Sequence, residues 1–168
     1  GIDVIAHKAA MESGISTIII PAHGLDRIYP SVHRSVAVQA LDKGGILTEY
    51  TRETEPERFN FVARNRIVAG MADAVVVVES KKKGGSLITA DMAVDYGRDV
   101  FAMPGRVDDI CSAGCNDLIK RNKAQLIDYA DDLIAAMQWQ EQSTEAIQTC
   151  LVEMMYDLTD NQQRLLQL

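Results

Sequence analysis

Four consecutive valines, Val75–Val78, restrict the fold class that this chain can adopt. Valine is β-branched and fits a pleated sheet better than a helix, so the run predicts a strand. The run lacks alternating polar residues, which is typical of a strand with both faces covered. Such strands occur in parallel sheets, because the crossover helices pack on the sheet faces. The valines therefore predict an α/β fold.

The rest of the chain repeats one unit, a short apolar run followed by a segment with helical spacing. The runs predict strands within residues 16–22, 45–50, 73–80, 99–105 and 124–128, and the helical segments span 3–13, 31–44, 61–72, 86–97 and 116–122. Gly14, Gly44 and Gly97 follow three of the helical segments, as expected where a helix end adopts positive φ. Repeated βα units predict a doubly wound, mainly parallel sheet with helices on both faces.

The composition is that of a globular protein without disulfides. The chain has 168 residues, 47% hydrophobic and 24% charged, and a net charge of −7. This acidity argues against a general cationic coat for nucleic acid but permits a local basic surface. Cys111, Cys115 and Cys150 form no C-x-x-C pair, so we expect reduced structural thiols, no metal site and a cytoplasmic location. No apolar run reaches the roughly 20 residues of a membrane span.

The segment "ESKKKGGS" follows the valine run, at the edge where open parallel sheets bind ligands. Gly84 and Gly85 permit close approach of backbone amides, and Ser86 is expected to cap the next helix. Three lysines add positive charge: Lys81, Lys82 and Lys83. A phosphate site and a solvated turn explain these residues equally well, and the Walker spacing is absent.

Two arginines in the third helical segment favour the phosphate site. Arg64 and Arg66 flank Asn65, and the planar guanidinium binds phosphates and stacks on bases. The alternative is ion pairing with Glu49, Glu53, Glu55 or Glu57. Arg106, after the fourth strand, is a further candidate. His7 lies four residues from Asp3, which predicts a structural Asp–His hydrogen bond, and no histidine has triad spacing.

Several segments in order resemble the DNA-processing protein A family (DprA, also called Smf). They are "GID…AH", "GLDRIYP", "TEY", "RNRIVAG", "VVVVE", "GGSLIT", "GRDVFAMPG" and "SAGCNDLI", from Gly1 to about Gln138. The resemblance implies a Rossmann-like domain that binds and protects single-stranded DNA and helps load the RecA recombinase during natural transformation. It also implies a homodimer without enzymatic activity, cofactor or metal.

Carried over by position, the family's DNA pocket falls on Arg64, Arg66, the three lysines and the "GGSLIT" loop. The candidate DNA-binding residues are therefore Arg64, Asn65, Arg66, Lys81, Lys82, Lys83, Gly84, Gly85, Ser86 and Arg106. Gly84 stands where the family usually has serine. The chain also starts inside the family's "S-G-x-A-x-G-I-D" motif, which predicts that a first strand is missing from the sequence.

The resemblance divides the chain in two. Residues 1–138 are expected to form the Rossmann-like DNA-binding domain, and residues 139–168 a linker and a short helical appendage similar to the start of a winged helix. A rival function is that of a nucleotide-binding phosphoribohydrolase of the "lonely guy" (LOG) type, which shares the broad fold. Such enzymes need a "PGGxGT…E" stretch, whereas the helix after Gly85 contains no glutamate.

Overall fold

The computed structural model describes residues 1–139, and these alternate strands with helices throughout. The strands are β1 (Thr17–Ile19), β2 (Gly44–Ile46), β3 (Ala74–Val77), β4 (Asp99–Ala102) and β5 (Gln125–Leu126). The helices are α1 (Ile2–Glu12), α2 (Arg34–Asp42), α3 (Arg58–Met71), α4 (Gly85–Asp95), α5 (Ala113–Lys120) and α6 (Ala130–Ala136), with a 3₁₀ turn at Ser31–His33 before α2. All five predicted strands and all five predicted helices are present. The sequence patterns missed only α6 among the described elements.

Every strand pairing is parallel, which confirms the predicted α/β class. The prediction that both faces of the valine run are covered was wrong, because Val76 is 38% and Val78 37% exposed, whereas Val77 is buried. Strand β1 pairs with β2, and β3, β4 and β5 form a second hydrogen-bonded group in that order. Residues of both β1 and β3 line a cavity of about 700 Å³. No hydrogen-bonded strand pairing joins the two groups within the described residues, so the one sheet that the sequence predicts is present as two parallel groups.

The larger core surrounds β3 and β4 and is built mostly from small side chains. Its buried members are Ala69, Val77, Ala90, Ala93, Val100, Ala102, Cys115, Leu118 and Ala124. Alanines on α3 and α4 allow the helices to approach each other and the strands closely, since little side-chain volume separates them. A smaller cluster joins α1 to α2 through Met11, Val36 and Ala40. The core thereby fixes the position at which α4 begins.

Two of the three predicted helix-ending glycines are confirmed. Gly14 (φ 74°) follows α1 and Gly97 (φ 68°) follows α4. The prediction for Gly44 was wrong, because this residue begins β2. A Cβ at Gly44 would lie 1.8 Å from the Thr17 carbonyl oxygen. The glycine is therefore required by the close approach of β1 and not by a helix end.

The chain separates into two compact units, Gly1–Asp128 and a second unit that begins at Tyr129. Helix α6 belongs to the second, and its N-terminus has a capping box in which the Tyr129 amide donates to Asp132 Oδ2 at 3.0 Å. The predicted linker and appendage lie outside the described residues, apart from Trp139. Among residues 1–139, no helix is long and apolar enough to cross a membrane.

Candidate nucleic-acid interface

Residues 81–84, the lysine turn, connect the end of the β3 segment to α4. All three lysines are exposed, and none forms an ion pair within the described part of the chain. The charge of the turn is therefore available to an anionic ligand. The turn follows β3 in a parallel sheet, the edge at which such folds bind ligands.

Two backbone hydrogen bonds fix the path of the polypeptide from the lysine turn into α4. The Gly84 amide donates to the Lys81 carbonyl oxygen at 3.0 Å, and the Leu87 amide donates to the Gly84 carbonyl oxygen at 3.2 Å. Gly84 is the N-cap residue, so the prediction that Ser86 caps the helix was wrong. Because the first turn of a helix has free amide donors and a partial positive charge, the lysines adjoin a second source of positive potential.

Arg64 is half-buried, and its partners lie within the protein. Its guanidinium donates to the Ile20 carbonyl oxygen beyond the end of β1 and, through Nε, to Asn65 Oδ1 at 3.3 Å. Its Cζ atom lies 5.8 Å from the centroid of the Phe61 ring. Burial lowers the pKa of Arg64 from its usual value. These contacts give Arg64 a role in joining α3 to β1.

Arg66 is exposed and forms an ion pair with Glu49. Pairing with a nearby glutamate was the alternative to phosphate binding that the sequence left open for both arginines. Within the described residues, Arg66 forms such a pair and Arg64 does not. An exposed ion pair is worth about 0–1 kcal/mol, so its arginine is easily redirected to another anion.

Arg106 lies in the loop after β4 and is 83% exposed at its side chain. It donates to both carboxylate oxygens of Asp108, at 3.0 and 2.9 Å, and these bonds lower the pKa of Asp108. The base of the loop is held by Asn116, which donates to the Gly105 carbonyl oxygen at 3.0 Å and accepts from the Gly105 amide at 3.1 Å.

Apart from Gly84, which is the N-cap of α4, the candidate residues fall into two groups. Arg64, Asn65, Gly85 and Ser86 line the cavity between β1 and β3. The lysines, Arg66 and Arg106 do not line it and lie on exposed surface. The start of α5, which follows the loop of Arg106, is bonded to the residue before the lysine turn: the Gly114 amide donates to the Ser80 carbonyl oxygen at 2.7 Å.

Sequence reasoning missed Ser80, which precedes the lysine turn and is only 5% exposed. Its hydroxyl donates to the Lys81 carbonyl oxygen at 3.1 Å and accepts from Ser86 Oγ at 2.9 Å. A buried polar group with both bonds made stabilises one conformation of its surroundings. The available signal was a small polar residue shortly after the run of four valines.

His7 and His23 have structural partners. His7 Nδ1 lies 2.7 Å from Thr17 Oγ1, so the predicted bond to Asp3 was wrong, although the Asp3 charge opposes the lowering of the His7 pKa by burial. His23 is 2% exposed, with Nδ1 2.8 Å from the Gly24 carbonyl oxygen, and it accepts from the Tyr29 amide at 3.2 Å. Cys115 is buried, and burial raises the pKa of its thiol.

Comparison with known proteins assigns this arrangement to a family. The model of the DNA recombination-mediator protein A family matches residues 1–138. The chain is 40% identical over 139 residues to the DNA processing protein DprA of Streptococcus pneumoniae, covering 83% of this chain and 49% of the relative. It is 42% identical over 137 residues to the protein Smf of Synechocystis sp., covering 82% of this chain and 34% of the relative. The chain thus spans half or less of the length of these curated relatives.

Solved structures show the same fold. The X-ray structure of DNA processing protein A from Streptococcus pneumoniae superposes with a TM-score of 0.74 at 42% identity, over 80% of this chain and 47% of that chain. DNA processing protein A from Helicobacter pylori, solved to describe its single-stranded DNA binding mode, gives a TM-score of 0.71 at 32% identity, over 82% of this chain and 62% of that chain.

Proposed function

The chain belongs to the DNA recombination-mediator protein A family, and we propose that it binds single-stranded DNA through the lysine turn and the start of α4. The observation that carries the proposal is that Lys81, Lys82 and Lys83 are exposed and free of ion pairs in the described residues, beside a helix N-terminus. Phosphates of a DNA strand are anions that can pair with these lysines and with the free amides of α4.

Binding of this kind is largely independent of base sequence. Lysine contacts reach phosphates, which are the same along any strand, whereas reading bases needs directed bonds to their edges. Arg66 and Arg106 extend the positive surface once they leave Glu49 and Asp108. Tyr29, half-exposed and in edge-to-face contact with Phe61 at 6.3 Å, offers an aromatic ring on which a base can stack.

The proposal includes the wider role that the family resemblance implies. The protein would act in the cytoplasm as a homodimer without enzymatic activity, protect incoming single-stranded DNA and help load the RecA recombinase on it. Light scattering of the purified chain tests the dimer. Strand exchange by RecA on DNA coated with single-strand-binding protein, with and without this chain, tests loading.

The LOG-type hydrolase has less support. The acid nearest the start of α4 in the helix, Asp91, accepts from Lys123 Nζ at 2.6 Å, and it does not line the cavity. A carboxylate outside the cavity is not positioned to assist cleavage of a glycosidic bond in a nucleotide bound there. Release of adenine from AMP by the purified chain would reverse this conclusion.

Fluorescence anisotropy of a labelled oligo-dT, titrated at several salt concentrations, tests the DNA proposal. We expect log K to fall linearly with log salt, at a slope of about −0.7 for each phosphate contacted. Replacing Lys81 and Lys83 with alanine should weaken binding and make the slope shallower by about 1.4, because two phosphate contacts are lost.

A matched control removes two exposed lysines elsewhere. Lys8 lies on α1 and Lys120 at the end of α5, so Lys8→Ala with Lys120→Ala makes the same change in net charge away from the turn. We expect the slope of this variant to match that of the parent. Equal slopes in all three proteins would contradict the assignment of the lysine turn.

A further inference from the structure

Gly84 has a backbone conformation that any residue can adopt. Its φ of −79° and ψ of 148° lie in the extended region, so the glycine is not required by positive φ. Space is the constraint. A Cβ at this position would lie 2.1 Å from Ser80 Oγ, far inside van der Waals contact, and 3.2 Å from the Lys81 carbonyl oxygen. The hydroxyl of Ser80 therefore occupies the volume that a side chain at residue 84 would fill.

That hydroxyl is the centre of a short chain of hydrogen bonds. Ser86 Oγ donates to Ser80 Oγ at 2.9 Å, and Ser80 Oγ donates to the Lys81 carbonyl oxygen at 3.1 Å. The same carbonyl oxygen accepts the Gly84 amide at 3.0 Å, so both of its lone pairs are used. These hydrogen bonds link the first turn of α4 to the first residue of the lysine turn. They also join the two ends of the turn, Lys81 and Gly84.

Helix α5 also contacts the backbone of this hydrogen-bond network. The Gly114 amide donates to the Ser80 carbonyl oxygen, and a Cβ at Gly114 would lie 2.6 Å from the Lys81 carbonyl oxygen. Helix α5 therefore begins directly against the backbone of residues 80 and 81. With α5 on one side and α4 on the other, the backbone carbonyl of Lys81 is fixed while the lysine side chains stay exposed.

We propose that Ser80 is a positioning residue for the candidate DNA site, and that its buried hydroxyl and the missing side chain of Gly84 form one interdependent unit. In this proposal Ser80 does not itself contact DNA. It holds the lysine turn in the conformation that presents three ammonium groups and the α4 amides to the same phosphate backbone. The inference rests on the proposed DNA binding for its functional part, whereas the packing of residues 80 and 84 is testable without DNA.

The packing test is a cycle of four proteins in the 168-residue chain: the parent, Ser80→Ala, Gly84→Ala and the double variant. We expect Gly84→Ala to lower Tm by about 5 °C or more, because its Cβ collides with the hydroxyl. In the Ser80→Ala background the same change should cost little, because the collision is with Ser80 Oγ. Gly85→Ala is the matched stability control, since a Cβ there meets nothing within 4 Å. Additive effects in the cycle would overturn the interdependence.

The functional test is oligo-dT binding at several salt concentrations. Loss of one organising hydrogen bond predicts that Ser80→Ala weakens affinity by about three- to tenfold. The slope of log K against log salt should not change, because every lysine remains. The slope therefore distinguishes a residue that positions the lysines from a residue that contacts phosphate. We expect the double variant Lys81→Ala with Lys83→Ala to change the slope, and Ser80→Ala to leave it unchanged. Parent-like affinity in Ser80→Ala would overturn the positioning role.

A relocated hydroxyl provides the rescue. In Ser80→Ala combined with Gly84→Ser, the new side chain enters the space that Ser80 vacates and brings a hydroxyl back towards Ser86. We expect affinity to recover, whereas Ser80→Ala with Gly84→Ala should stay weak. Equal weakness of the two double variants would contradict a role for the hydroxyl. Absence of oligo-dT binding by the parent would overturn the proposed function and the positioning role together, while the thermal cycle would still decide the packing.

Discussion

Arg64 and Arg66 lie two positions apart on α3 and meet different surroundings. Arg64 reaches the Ile20 carbonyl oxygen and the Phe61 ring, and burial lowers its pKa. Arg66 extends into solvent and pairs with Glu49. One arginine therefore stabilises the contact of α3 with β1, and the other is free to exchange a carboxylate for a phosphate.

We expect Arg64→Ala to lower the free energy of unfolding by about 1–3 kcal/mol, because the half-buried Ile20 carbonyl oxygen loses its donor. Arg66→Ala should change it by no more than about 1 kcal/mol, because an exposed ion pair contributes little. Urea unfolding followed by circular dichroism measures both values. Oligo-dT affinity, measured where both variants are folded, should fall in Arg66→Ala.

Arg64→Lys provides the control for charge. A lysine keeps the positive charge but lacks the planar fork that reaches Ile20 and Asn65 together, so it should restore only part of the lost stability. Full stability in Arg64→Ala would contradict the structural role.

At the scale of elements, glycines decide how closely the strands approach. Gly44 and Gly45 are neighbours in β2, paired in register with Thr17 and Ile18 of β1. A Cβ at Gly44 would collide with the backbone of Thr17, whereas one at Gly45 meets nothing within 4 Å. The β1–β2 pair therefore depends on one glycine and tolerates replacement of the other.

Gly44→Ala should destabilise the protein by about 3 kcal/mol or more, because the colliding atoms belong to backbone that has no room to move. Gly45→Ala is the matched control and should be neutral or stabilising by up to about 1 kcal/mol, because alanine loses less conformational entropy than glycine on folding. Thermal unfolding distinguishes the two. Similar Tm values for both variants would show that β1 shifts to accommodate the methyl group.

At the scale of the whole molecule, charge is unevenly distributed along the chain. The net charge is −7, yet Lys81, Lys82 and Lys83 are consecutive and exposed in the turn after β3, and Arg106 is exposed in the loop after the neighbouring strand β4. Residues 139–168 contain five acidic side chains and one basic one. If the chain binds DNA as proposed, we expect the charge of these C-terminal residues to weaken binding at low salt without supplying any of the proposed contacts.

A chain shortened to residues 1–138 should keep its Tm and bind oligo-dT at least as tightly as the 168-residue chain at low salt. The physical reason is the loss of net negative charge, whose effect should vanish as salt screens it. Anisotropy at two salt concentrations measures this. Loss of binding at both concentrations would place part of the DNA site beyond the predicted boundary.

The sequence by itself determined the elements of this protein. Apolar runs, helical spacing and helix-ending glycines are local patterns, and they predicted five strands, five helices and the parallel α/β class. The lysine turn was also local, because its charges, its glycines and the valine run before it lie within about ten residues of one another. The family resemblance followed from the order of the same motifs.

The tertiary structure alone decided which residues are partners. Arg64 meets a carbonyl group 44 positions away, Gly44 is required by a strand that begins at Thr17, and the Ser80 hydroxyl excludes a side chain at Gly84. Spacing along the chain does not encode such contacts, because they depend on where packed helices and strands bring distant atoms. The division between β1 and β3 has the same origin, since pairing of strand edges is set in space and not by the pattern of either strand.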